Sequence, residues 1–196
     1  ATAAQARKNP ALWLLIIMAG FFVIAAGMMQ QFSSYASTGA LGAAVGAMGV
    51  TVCMIGQLFG KLGLGWLCDH TGARVSGVVA SIFGAAGIAI VLFSVDNAMM
   101  FYVGVFLFGI GFAALNIVPP MACRQAFGQK DYANIFSMVA TGLNVFSGFS
   151  ALIYAQIFDI TGSFAGCFYL IIGFYVVTLI CSLVIVPMGR RSWAKK

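Results

Sequence analysis

An ammonium group inside an apolar run is the feature of this sequence with the most chemistry in it. Lys61 sits in the glycine-rich stretch 39–74, and Gln57 precedes it by one helical turn, so the two polar groups share a helix face. A cation beside an amide, with no acidic residue in the stretch before Asp69, suits the holding of an anion better than proton transfer. Burying a lysine at a helix centre costs about 2.5–3.5 kcal/mol on an insertion scale, so something should offset it. Lys61 lies eight residues before Asp69, about 12 Å along a helix, and a snorkelling stem is one way to meet that cost. An anion is the other. Later apolar runs carry Asn116 and then Ser137, Thr141, Asn144 and Gly148 at helical spacing, an uncharged polar face suited to a helix contact or a cavity wall.

Other chemistries find little support. The five cysteines (Cys53, Cys68, Cys123, Cys167, Cys181) form no C-x-x-C pair, and His70 is the single histidine, so neither a disulfide nor a metal site is expected. G-x-S-G and H-E-x-x-H are absent, and an intramembrane enzyme is not expected. No cofactor is implied. The net charge of +6 comes from cations between apolar runs and at the ends, with no basic patch interleaved with aromatics, which argues against nucleic acid.

The elements that must position these groups are membrane helices. Hydrophobic residues make up 62% of the 196-residue chain and charged ones 7%, and the mean hydropathy is +1.04. A soluble domain carries about 25% charged residues. The apolar runs are long enough for helical spans, and six are expected near 11–35, 39–67, 75–94, 98–122, 132–158 and 164–187, in one domain over 1–196. The first is too long for a signal-peptide core and no small-residue cleavage site follows it, so it reads as a span that stays.

Gly39, Gly42, Gly46, Gly49, Cys53, Gly56, Gly60 and Gly63 fall three or four apart, a stripe that lets a second helix approach backbone to backbone. Pro119 and Pro120 lie near the end of the fourth span, where they would either end the helix or bend it. At the end of the first span, Gln30, Gln31, Ser33, Ser34 and Tyr35 suit an interfacial cap or the vestibule of a pathway. The last span reads as an outer, lipid-facing helix, with Gly162-x-x-x-Gly166 at its start as a packing motif.

Arg7, Lys8, Arg74, Arg124, Lys130, Arg190, Arg191, Lys195 and Lys196 all fall on one side of such a layout, and Asp96 and Asp159 on the other. The excess of cations in connecting segments marks the cytoplasmic side, so both termini are expected there, in a plasma or inner membrane.

The loop Gly65-x-x-x-Asp69-x-x-Gly72-x-Arg74 resembles the short cytoplasmic signature of the major facilitator superfamily (MFS). In that pattern Gly72 would allow a tight turn, Asp69 would cap the next helix and Arg74 would supply a counter-charge. His70 and Ala73 stand where the family usually has basic residues.

The longer pattern Gln57-x-x-Gly60-Lys61-x-x-x-Gly65 resembles the eighth helix of the oxalate/formate-antiporter and monocarboxylate-transporter branch. Pro119-Pro120 followed by Phe127-Gly128-Gln129-Lys130-Asp131-Tyr132 resembles the same branch, as do Asp159-Ile160-Thr161-Gly162-Ser163 and Val186-Pro187-Met188-Gly189-Arg190.

The resemblance implies an all-α membrane protein of six transmembrane helices, the C-terminal half of an MFS fold. It implies alternating-access transport of a small organic anion, with an N-terminal six-helix half in cis or as a second chain, and membrane lipid around both. In it Lys61 replaces an arginine that contacts substrate carboxylate, and Gln57, Asn116, Thr141 and Asn144 are the further candidate contacts. The oxalate-type members carry a lysine in the eleventh helix where Ala140 falls, so one cation rather than two favours a monocarboxylate. A half-length chain that serves only as a partner is the alternative reading.

Overall fold

The computed structural model describes residues 3–94 and 96–191, without the side chains of residue 4 and residues 189–191. Lys195 and Lys196, and the side chains of Arg190 and Arg191, lie outside the described residues. The chain forms a short helix α1 (Ala3–Arg7) and then α2 (Pro10–Thr38), α3 (Ala43–Thr71), α4 (Ala73–Phe93), α5 (Ala98–Phe127), α6 (Tyr132–Thr161) and α7 (Ala165–Arg191). Helices α2 to α7 are each long and apolar enough to cross a membrane.

Local chemistry sets where these helices start and stop. The Asn9 side chain accepts from the Ala11 N–H at 3.0 Å, and Pro10 occupies the first helical position, where its missing N–H costs nothing. Asn97 caps α5 in the same way, accepting from Met99 and Met100. Gly42 and Gly72 bracket α3 with φ of +86° and +89°, a region closed to most side chains.

Helix α5 packs on α2, α3, α4, α6 and α7, and helix α2 packs on α3, α5, α6 and α7. Half of the most apolar window of α2 is buried, against 17% for α6, which packs mainly on α2. On the far side α4 lies between α5 and α7.

Four local expectations change. Helix α5 runs through Pro119 and Pro120 to Phe127, so the prolines do not end it. The carbonyls of Leu115 and Asn116 simply lose the N–H that would reach them. Gly162 is not half of a packing motif: it is the left-handed cap of α6, at φ +63°.

Asp69 does not cap the next helix, because α3 continues past it and Gly72 is the cap residue of α4. The Ala73 N–H is met by Gln125 Oε1 of α5 at 3.1 Å. Finally, α7 is not only an outer, lipid-facing helix. Thr178 and Ser182 are buried, with Thr178 Oγ1 3.0 Å from Ser81 Oγ of α4 and the Ser182 hydroxyl donating to the Thr178 carbonyl at 2.8 Å, its oxygen 3.4 Å from Met18 Sδ of α2.

Candidate functional site

The glycine stripe of α3 faces α5 and thereby turns Lys61 outward. A Cβ at Gly49 would strike the Phe101 ring, and one at Gly56 the Phe106 carbonyl. At Gly60 it would lie 2.8 Å from both Ile110 Cα and Ala113 Cβ. The approach is reciprocal, since a Cβ at Gly109 of α5 would overlap the Cys53 carbonyl and lie 2.9 Å from the Gln57 backbone nitrogen. The seam runs from Gly49 through Gly60 and continues in buried Leu64 and Cys68, while Gly46 meets Ser33 and Ala36 of α2 instead. Gly63 is off it, with open space around it, and Gly39 and Gly42 sit in the α2–α3 turn.

This packing leaves Gln57 half-buried at the edge of the seam and Lys61 exposed one turn further on. From Lys61 it is ten residues to Thr71 and eighteen to Ala43, about 15 Å and 27 Å of helix respectively. The ammonium is thus carried by a position inside the span, a third of the way from one end.

A second set of polar groups gathers elsewhere. Between α2, α5 and α6 an open cleft of about 310 Å³ is lined by Gln30, Asn144, Ser147 and Ser150 beside Phe112 and Leu115. The Asn144 amide offers both donors and an acceptor. Ser147 and Ser150 follow Asn144 at three-residue spacing, the signal by which the sequence could have revealed them.

Toward the opposite end from Lys8 and Arg124, Gln31, Ser34 and Thr38 line another cleft, of about 320 Å³, with Asp159, Tyr154 and Phe164. The Tyr154 hydroxyl donates to the Ile24 carbonyl and ties α6 to α2 below it.

The candidate residues therefore do not all converge. Asn144 lines the cleft. Lys61 and Gln57 ride on α3, which is not one of its walls. Asn116 is exposed on α5, next to the wall residue Leu115. Thr141 faces a different groove between α2 and α6, and its hydroxyl is given to the Ser137 carbonyl at 2.9 Å. In the loop signature Asp69 and Arg74 are exposed, Gly72 supplies the positive φ between α3 and α4, and Gly65 has nothing packed against it.

No family model matches the chain. The uncharacterised MFS-type transporter YhjX of Escherichia coli (strain K12) is 27% identical over 151 residues, which is 74% of this chain and 36% of the relative. The crystal structure of an auto-inhibited POT-family peptide transporter matches with a TM-score of 0.69 at 20% identity, over 93% of this chain and 37% of that one. The chain spans little more than a third of the length of either. The architecture is that of one six-helix half of an MFS-type fold, in a multi-pass membrane protein.

Proposed function

From one half of an MFS-type fold, we propose that the chain is the C-terminal half of a secondary transporter that moves a small organic anion by alternating access. The observation that carries this is Lys61: an exposed ammonium about 15 Å inside an apolar span, held outward by a glycine seam. A monocarboxylate is the substrate class that one such cation suits, since a second carboxylate would call for a second positive group. Gln57 stands beside the ammonium, and Asn116 and Asn144 are the polar groups on α5 and α6 available to a substrate between two halves; Thr141, in the groove beyond the α2–α6 seam, is not among them. A lysine attracts carboxylate as a point charge, without the two-pronged grip of arginine.

The working site forms against an N-terminal six-helix half, in the same chain or as a second one. The likeness over about a third of an MFS-type transporter and of a peptide transporter supports transport rather than catalysis. The end carrying Arg7, Lys8, Arg74 and Arg124 faces the cytoplasm in this reading, with Gly65, Asp69, Gly72 and Arg74 as its loop signature and the plasma or inner membrane as its location.

The test is uptake of labelled formate, lactate and oxalate into vesicles holding the transporter, with Lys61→Ala and Lys61→Arg compared at equal protein level. Lys61→Ala is expected to abolish uptake of the accepted monocarboxylate and Lys61→Arg to retain a measurable fraction. Unchanged uptake in Lys61→Ala would refute the anion role. Absence of uptake by the unaltered protein with every acid would favour a partner subunit without transport of its own, a reading that the open α6 wall also suits.

A further inference from the structure

On the other side of the α2–α6 seam lies a groove that the transport reading does not use. Its volume is about 490 Å³, and Trp13, Ile16, Met138, Val145 and Phe146 supply most of its wall. At 100° per residue, Met138 and Val145 fall on the face of α6 roughly opposite Leu143 and Ser147 of the polar cleft. Side chains set against glycines close the seam between the two: Ile16 against Gly142 and Phe146 against Gly20. The groove is thus separate from the polar cleft.

Its chemistry is divided along its length. The wall offers a ligand almost no hydrogen bonding, because the one hydroxyl, that of Thr141, is already given to the Ser137 carbonyl. The charge is all at one end. Arg7 stands at the mouth, fixed by two contacts: its carbonyl accepts from the Trp13 indole N–H at 3.2 Å, and its Nε donates to Met138 Sδ at 3.2 Å. The two terminal guanidinium nitrogens remain for another partner. The carboxylate at this end of α6, Asp131, is engaged by the Ala3 N–H at 2.6 Å and the Asn134 amide at 2.6 Å. Trp13, 59% exposed, is the residue type that settles at the headgroup level.

The geometry points to a site for one anionic phospholipid, its phosphate at Arg7 and an acyl chain along Met138 to Phe146. That stretch spans eight helical steps, about 12 Å of apolar wall. A neutral lipid would fill the groove but leave the arginine fork without its anion, so the site discriminates by headgroup.

The experiment places p-benzoylphenylalanine at Val145, which points into the groove and is 53% exposed. The protein is reconstituted in vesicles of phosphatidylcholine and phosphatidylglycerol at 3:1, illuminated, and its adducts are weighed by mass spectrometry. Phosphatidylglycerol adducts are expected about fivefold above their share of the bilayer, the preference of roughly one basic residue near an anionic surface. Arg7→Gln should return them to that share, and Arg7→Lys should hold them within about twofold of the unaltered protein.

Adducts in the bulk lipid ratio would overturn the proposal. So would enrichment that survives Arg7→Gln or is lost equally in Arg7→Lys. Adducts to protein would assign the groove to another part of the transporter, and absence of adducts would show that nothing occupies it. Either would also overturn the proposal.

Discussion

Gly60→Ala and Gly63→Ala make the same chemical change three residues apart on α3, and the structure gives them opposite signs. In a helix interior alanine is favoured over glycine by about 1 kcal/mol. At Gly63 nothing lies within 4 Å of the added methyl, so that gain stands alone. At Gly60 the methyl would sit 2.8 Å from Ile110 Cα, whereas carbon atoms attract best at about 3.5–4.0 Å. The obstacle is backbone and has no rotamer to change, so α3 and α5 must part by about 1 Å locally. A gap of that size forfeits up to half of each dispersion contact along the seam, and overpacking of this kind costs about 1–3 kcal/mol. The upper end applies because neither helix can yield alone. The net expectation is a loss of about 2 kcal/mol for Gly60→Ala and a gain of about 1 kcal/mol for Gly63→Ala. For a chain of this size the two midpoints should differ by about 6–12 °C. Thermal unfolding in detergent, followed by fluorescence-detected size exclusion, measures both. Equal midpoints, or Gly60→Ala as the more stable variant, would refute the claim that these helices meet backbone to backbone.

Two further outcomes follow from contacts outside that seam. A double-mutant cycle on Ser81→Ala and Thr178→Val should return a coupling of about 0.6 kcal/mol, the average for hydroxyl pairs between membrane helices; zero coupling in the same unfolding assay would remove the α4–α7 hydrogen bond. The Ala3 N–H and then the Asn134 amide hold the Asp131 carboxyl below its ordinary value of 3.8. Its stabilising contribution is therefore complete above pH 3.8 and is lost as pH falls through the lower folded value. Asp131→Asn should flatten the acid limb of a stability–pH profile, and an unaltered limb would show that the carboxylate adds nothing there.

Much of the fold was legible because membrane insertion imposes a coarse pattern: apolar runs of helical length with the charges between them. The inward face of α3 was legible too, since glycines at Gly46, Gly49, Gly56 and Gly60 have no other use in a helix. Gly42 and Gly162 share the same spacing for a different reason, backbone φ above zero, and spacing alone does not separate the two uses.

The α4–α7 hydroxyl contact stayed hidden because Ser81 and Thr178 are isolated in sequence and become a pair only when α4 meets α7. The parting of Thr141 from Asn144 was hidden for a similar reason. Three residues apart, they share a helix face in isolation, but the edge of α2 falls between them and sends one to each groove. Asp69 failed as a cap because α3 keeps its helical hydrogen bonding for two residues more, to Thr71.

Two of the glycine-lined joints differ in stiffness, and so in what each can transmit. Between α3 and α5 the notches at Gly56, Gly60 and Gly109 are filled by the other helix's backbone, so a slide along that seam meets atoms that cannot turn aside. Between α2 and α6 the notches of Gly20 and Gly142 are filled by the rotatable side chains Phe146 and Ile16. That joint works as a bearing rather than a weld. The first pair acts as a strut that carries Lys61 with it, and the second as the compliant edge along which the bundle can yield.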